Sequence, residues 1–455
     1  MRADDLRGTV ARTARIAAAL AGTFALAACA HRPARIAYDR AVGLETFDAA
    51  WRIVYETYFD TTFHGVNWVA LRDSLRPRAA DARSRDELRS LIDGMLGRLG
   101  RSHFTLIPRE LADTGAGADT EQRGSVGLDV RLLDGQLVVT EVDAGGPAAR
   151  AGVRPGWVVV AVGHDTVSVF LARLRARERA HASVHRIETE AWGTARSRLN
   201  PPLDSAVDVV FLDQADRTVT LHLLAQRAPG EPVRFGSLPT AFTRFSAERR
   251  TSPGGVRVGV LRFNVWLVPL MRQIDAAVDS FRTLDGIVLD LRGNTGGLGA
   301  MIGGVAGHFL DRRDTLGLMI TRRNRLALAA NPRVVSPDAR PVRPFAGPVA
   351  VLVDEASASA TEAFAGGMQA LGRVRVFGGR SMGAVLGALW DRLPNGDQLY
   401  HAILAFDIRG ADLEGRGVTP DEPVGVTRAD LLAGRDPVVE AAVRWIAAQP
   451  RGVSP

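Results

Sequence analysis

The chain has 455 residues, 46% of them hydrophobic and 24% charged, enough apolar material for roughly three domains with ample cores, so disorder is not the default state. All 57 basic residues are arginine, which excludes a serine–lysine dyad and a lysine-bearing phosphate loop. Against 50 acidic residues they leave a formal charge of +7, scattered among acids and accompanied by only 6% aromatics, a poor match to a nucleic-acid-binding surface.

The N-terminus reads as an export signal. Arg2, Arg7, Arg12 and Arg15 precede an apolar run from Ile16 to Ala28 that is too short to span a bilayer as a stable helix. The run ends in "LAAC", Leu26 to Cys29, which resembles a bacterial lipobox. Cys29, the only cysteine, would then carry lipid, with residues 1–29 as the signal and the mature protein held on the cell envelope, facing the periplasm from the outer membrane. An ordinary cleaved signal, with Ala28 and Ala30 as the small residues of the cut site, is the alternative. Residues 30–115 carry apolar positions at helical spacing, as in "FDAAWRIVYETYF" and "DELRSLIDGMLGRLG", and are expected to form a small helical domain. It runs into "RSHFTLIP" and then the linker "ADTGAGADTEQ".

Residues 123–227 turn to short alternating strands with glycine-rich turns, "GGPAARAG" and "VRPG". This stretch resembles a PDZ domain of the bacterial protease type. The resemblance implies that the loop Arg123 to Leu128, with Val126 and Gly127 inside it, receives a peptide's terminal carboxylate on backbone N–H groups, the peptide adding as a strand; a purely packing role for the domain is the alternative. Trp157 stands where such domains usually carry an acidic residue, and 163–198 is long enough to extend the domain's helix.

Residues 233–450 alternate continuous apolar strands with helices, which predicts a mostly parallel sheet covered on both faces, the chain as a whole being α/β. Two turns sit at carboxyl ends of such strands, where ligand chemistry collects: "RGNTGG" after Leu291 and "EASASATE" after Asp354. By themselves these residues are ambiguous. Ser359 with Glu362 fits an S-x-x-E capping box, and "GNTGG" could be a tight turn or an anion site. A serine is a weak nucleophile without a base in reach, and no histidine lies between Glu355 and Val385.

"DLRGNTGG" followed by "SASATE", downstream of a helical segment and a PDZ-like domain, resembles the carboxy-terminal processing proteases, whose superfamily includes the tricorn core protease. The resemblance implies a crotonase-like αβ catalytic domain and serine peptidase activity on polypeptides without a cofactor. In the better-known branch a motif near "TFGKG" supplies a lysine base; here "SMGAV", Ser381 to Val385, places Ala384 at that position. The tricorn branch uses a serine–histidine pair and a glutamate instead, which match Ser102 and His103 in "GRSHF" and Glu414 in "LEGRGV". His103 would activate Ser359, and Glu414, directly or through the Ser102 hydroxyl, would orient the imidazole. Backbone N–H groups of Ala360 and of Gly297 or Gly296 would hold the oxyanion. His401 is the reserve base; His64, His181, His185, His222 and His308 have no motif around them, and no grouping has zinc-like spacing. The competing reading is a pseudoprotease that keeps the scaffold as a lipid-anchored peptide-binding module; a hydrolase of non-peptide esters or amides is a third. The oligomeric state is not legible.

Overall fold

The computed structural model describes residues 38–109, 124–178, 184–234 and 241–450. The expected signal with Cys29 lies outside them, as do Arg123 and His181.

Three helices, Arg40–Thr57, Trp68–Asp81 and Arg85–Gly97, open the described chain. The third begins where Ser84 Oγ accepts the Glu87 N–H at 3.2 Å and Glu87 Oε2 accepts the Arg83 N–H at 2.9 Å, satisfying N–H groups that a helix start leaves free. Their apolar faces meet around Phe47, Tyr58, Trp68, Ile92 and Met95. The core is not closed by the helices alone. Leu386, Leu393, Leu399 and Ala402 complete it, and Thr105–Ile107 pairs antiparallel with the long strand Gln398–Asp407. Short amphipathic helices need a second layer to cover them, and here residues 386–402 supply it. Arg89 fastens the layers with a forked pair to the buried Asp397, Nε to Oδ2 at 2.9 Å and Nη2 to Oδ1 at 2.6 Å.

The β-rich domain is an antiparallel sheet in the order Leu128–Leu133, Gln136–Val142, Val158–Val162, Ala206–Leu212, Thr218–Leu224. Where an extended helix was expected there are two, Val167–Glu178 and Val184–Leu199. Trp157 packs edge-on against Phe211 in the core, with Nε1 on Gln214.

The main sheet runs Phe245–Thr251, Arg257–Phe263, Gly286–Asp290, Val349–Val353, Arg375–Gly378, Glu422–Pro423. The first strand is antiparallel to the second and every later pairing is parallel. Side chains alternate between two cores as a pleated sheet requires. Leu261, Leu289 and Val351 face helices Met271–Phe281, Ala300–Ala306 and Ala360–Ala370, whereas Val260, Val288 and Leu352 face Pro437–Ala447. A further antiparallel sheet, built on Gln398–Asp407 with Asp314–Thr321, Arg325–Ala330 and Gly387–Arg392, packs against helices Ala300–Ala306 and Ala360–Ala370 and was not anticipated.

Asp397 has no exposed side-chain surface, so Arg89→Met should strand a buried carboxylate. We expect a loss of roughly 3–5 kcal/mol, read as a lower urea midpoint in equilibrium unfolding.

Candidate active site

Parallel neighbours place the two loaded turns side by side. After Leu291 and after Asp354 the chain leaves the sheet at the same edge, and the turns are stitched together. Gly293 N donates to Asp354 Oδ1 at 2.8 Å, Ser357 Oγ to the Leu291 carbonyl at 2.8 Å, and Ala358 N to the Asn294 carbonyl at 3.0 Å. Arg131 of the β-rich domain is buried against this seam, donating through Nε and Nη2 to Asp354 Oδ2 at 2.9 and 2.8 Å.

Ser359 begins helix Ala360–Ala370 with φ 56° and ψ −117°. A side chain held at such angles is strained by roughly 1–3 kcal/mol, and a strand-to-helix turn of this kind lifts a serine hydroxyl off the sheet. Neighbouring backbone must come very close. A Cβ on Gly296 would lie 2.6 Å from Ser359 Cβ and one on Gly297 would lie 2.4 Å from the Trp266 carbonyl, which accounts for both glycines. Of the expected oxyanion donors, Gly296 N is already committed to Asn294 Oδ1 at 3.0 Å. Ala360 N, at the electropositive start of the helix, and Gly297 N are left without such a partner among the described residues.

His103, Ser102 and Glu414 meet although 312 positions separate the last two. Ser102 Oγ donates to Glu414 Oε2 at 2.9 Å and lies 2.7 Å from His103 Nδ1; Ser102 N donates to Glu414 Oε1 at 2.7 Å. The proton count fixes the tautomer. A carboxylate only accepts, so the single hydroxyl proton of Ser102 points at Glu414, and Nδ1 must carry the hydrogen that Ser102 accepts. Nε2 is then the unprotonated nitrogen. Glu414 therefore reaches the ring through the hydroxyl. Burial pushes the His103 pKa down to about 4, keeping the ring neutral. Tyr400 lies against it, 5.4 Å between centroids.

The loop 381–385 links the two halves. Ser359 N donates to the Ala384 carbonyl at 2.8 Å, and Val385 N donates to Glu414 Oε2 at 2.9 Å. Among the described residues no hydrogen bond joins Ser359 to His103; contacts of this kind commonly tighten only around substrate. Glu362, read in sequence only as a capping acid, is fully buried beneath Ser359 and accepts four hydrogen bonds. Burial pushes its carboxyl up to about 7, against the pull of those donors.

Other expected positions turn out differently. Val126 N donates to the Leu199 carbonyl at 3.2 Å and Gly127 N to Ser125 Oγ at 3.0 Å, while Leu128 is paired in the sheet opposite Val142. The end of helix Val184–Leu199 thus takes up one of the N–H groups, that of Val126, that the loop was expected to offer a peptide. His401 is fully buried with Nε2 on Asp391 at 2.7 Å and Nδ1 on Thr57 at 3.2 Å, so it bridges sheet and helix and is no reserve base.

Residues 257–424 match the family profile of peptidase family S41, and residues 44–97 that of the tricorn protease C1 domain. The chain is 28% identical over 392 residues to the chloroplastic C-terminal processing peptidase of Tetradesmus obliquus, covering 82% of this chain and 76% of that protein. It is also 28% identical over 419 residues to tricorn protease homolog 1 of Streptomyces coelicolor, where the match covers 88% of this chain but 34% of that longer protein. Among solved structures, the photosystem II D1 C-terminal processing protease superposes with a TM-score of 0.58 at 23% identity, over 90% of this chain and 99% of that one, a likeness of fold.

Because the folded His103 titrates below the ordinary histidine value of 6.5, unfolding takes up a proton between about pH 6.5 and 4. Its contribution to stability is whole above that window and declines as the pH falls through it. Urea midpoints measured across the window should drop with acid, and His103→Gln should flatten this part of the profile.

Proposed function

The chain carries a peptidase family S41 domain behind a tricorn C1 domain and is a serine-type peptidase of that family; from this premise we propose that it cleaves polypeptides with Ser359 as nucleophile and His103 as general base. Ser359 Oγ attacks the scissile carbonyl as its proton passes to His103 Nε2. The N–H groups of Ala360 and Gly297 receive the oxyanion. Collapse of the tetrahedral intermediate breaks the C–N bond, His103 returns the proton to the departing amine, and water then releases the acyl group by the same route in reverse. Glu414 stabilises the transient imidazolium through Ser102, which holds the tautomer. The observation that carries this reading is the Glu414–Ser102–His103 relay with its free Nε2, joined by Val385 and Ala384 to the backbone of the strained serine. It supports turnover over a peptide-binding relic, because a relic needs neither the strain nor the tautomer.

The reading extends to location. The "LAAC" sequence supports export and a lipid on Cys29, placing the peptidase at the cell envelope. Metabolic labelling with a fatty-acid analogue should mark the wild type and not Cys29→Ala.

For the chemistry, Ser359→Ala and His103→Ala should each lower kcat by roughly 10³- to 10⁶-fold, and the double variant should be barely worse than either, since the pair acts as one unit. Ser102→Ala should approach Glu414→Gln in its effect, because the hydroxyl is the link between carboxylate and ring. A fluorophosphonate probe should label Ser359 in the wild type, located by peptide mapping. Absence of both labelling and turnover near neutral pH would leave Ser359 a helix cap.

A further inference from the structure

The Glu362 carboxylate lies at a junction that the proposed chemistry does not itself use. Oε2 accepts from Ser359 N at 3.0 Å and Ala384 N at 2.9 Å; Oε1 accepts from Ser381 Oγ at 2.5 Å and Gly383 N at 2.6 Å. Every neighbour is a donor, so all four acceptor positions of the group are filled. A helix cap requires one of these bonds; the other three reach a different segment. Ser381 in turn accepts from Val418 N at 2.6 Å, which ties the same junction to the chain just beyond Glu414.

The loop 381–385 divides two consecutive amides between two carboxylates. Ala384 N–H goes to Glu362, beneath the nucleophile, and Val385 N–H goes to Glu414, behind the base. The planar Ala384–Val385 peptide unit, whose carbonyl accepts from Ser359 N at 2.8 Å while its N–H donates to Glu414, thus spans the two halves of the site. We propose that Glu362 is a positioning residue of the acyl-transfer site: it fixes the separation and angle between Ser359 and His103 by clamping the serine's backbone and the loop that carries Glu414's partner amide. The inference rests on the assignment of Ser359 as nucleophile. It follows that disturbing this carboxylate shifts Ser359 relative to the imidazole without touching any surface that binds substrate.

Glu362→Gln keeps the shape but puts an amide NH₂ where one oxygen accepted two hydrogens. Turnover of a small activated ester should be measured per active site, sites being counted by exhaustive fluorophosphonate labelling, with the melting temperature recorded alongside. Expected is a fall in kcat per labelled site of about 10²-fold, the size associated with moving a reacting atom by about 1 Å, with KM changed by less than about 3-fold because ground-state binding is intact. Ser381→Ala removes one donor to Oε1 and should lower kcat per site in the same direction by about 10-fold. An unchanged kcat per site in Glu362→Gln, with only the melting temperature reduced, would make the residue purely structural and overturn the inference. If Glu362→Gln does not fold, an unchanged value in Ser381→Ala overturns it equally. Labelling that persists in Ser359→Ala is a separate result: it removes the nucleophile assignment itself, and this inference with it.

Discussion

The parallel register of Gly286–Asp290 against Val349–Val353 is the constraint on which the site depends. Asp290 lies beside Leu352, and one further bond, Leu291 N to the Leu352 carbonyl at 3.0 Å, carries the ladder to the strand ends. Parallel strands stop at the same edge, so the turns that follow emerge together. Asn294 exploits this. Fully buried, it donates through Nδ2 to the Phe263 carbonyl at 2.9 Å, holds Gly296 N with Oδ1, and offers its own carbonyl to Ala358 N and Thr361 Oγ1. A slip of one residue would exchange the two faces of the strand and separate these partners.

The β-rich domain is seated on this framework through arginines. Besides Arg131, Arg244 pairs with Asp143 and Arg262 with Glu141, each at 2.7 Å, and Arg428 reaches Asp216 at 2.6 Å and the Gly156 carbonyl at 2.8 Å. Exposed pairs of this kind add little energy and are screened by salt. Arg131 differs, being buried between Asp129 and Asp354, where its planar fork gives direction as well as attraction. A guanidinium does not lose its proton at any ordinary pH, so this seating stays charged while the carboxyl of nearby Glu355 is pushed up by burial beside Asp354.

Much of the site was legible because its pieces are local. "SASATE", "RGNTGG", "GRSHF" and "LEGRGV" are short stretches whose residue types match a chemistry, and the alternation of apolar strands and helices predicted the main sheet. What sequence could not supply is pairing across distance. Whether Glu414 touches His103 directly or through Ser102 depends on a contact spanning 312 positions. Glu362 looked like an ordinary capping acid, since a cap and a clamp share the same S-x-x-E spacing. The loop around Gly127 shows the opposite error: its sequence suits a carboxylate, yet helix Val184–Leu199 ends where its backbone takes up the Val126 N–H. Likewise the N-terminal helices have the right periodicity, but nothing local reveals that Leu386 and Leu399 finish their core.

The backbone angles of Ser359 have an evolutionary consequence. Glycine adopts a positive φ without a steric penalty, so a glycine here would relax the turn and stabilise the fold while abolishing any hydroxyl chemistry. Selection for stability alone would therefore favour losing the serine. With Ser359 as the proposed nucleophile, the strain at this residue, with a buried carboxylate underneath and two cramped glycines alongside, sets robustness of the fold against reactivity of the hydroxyl.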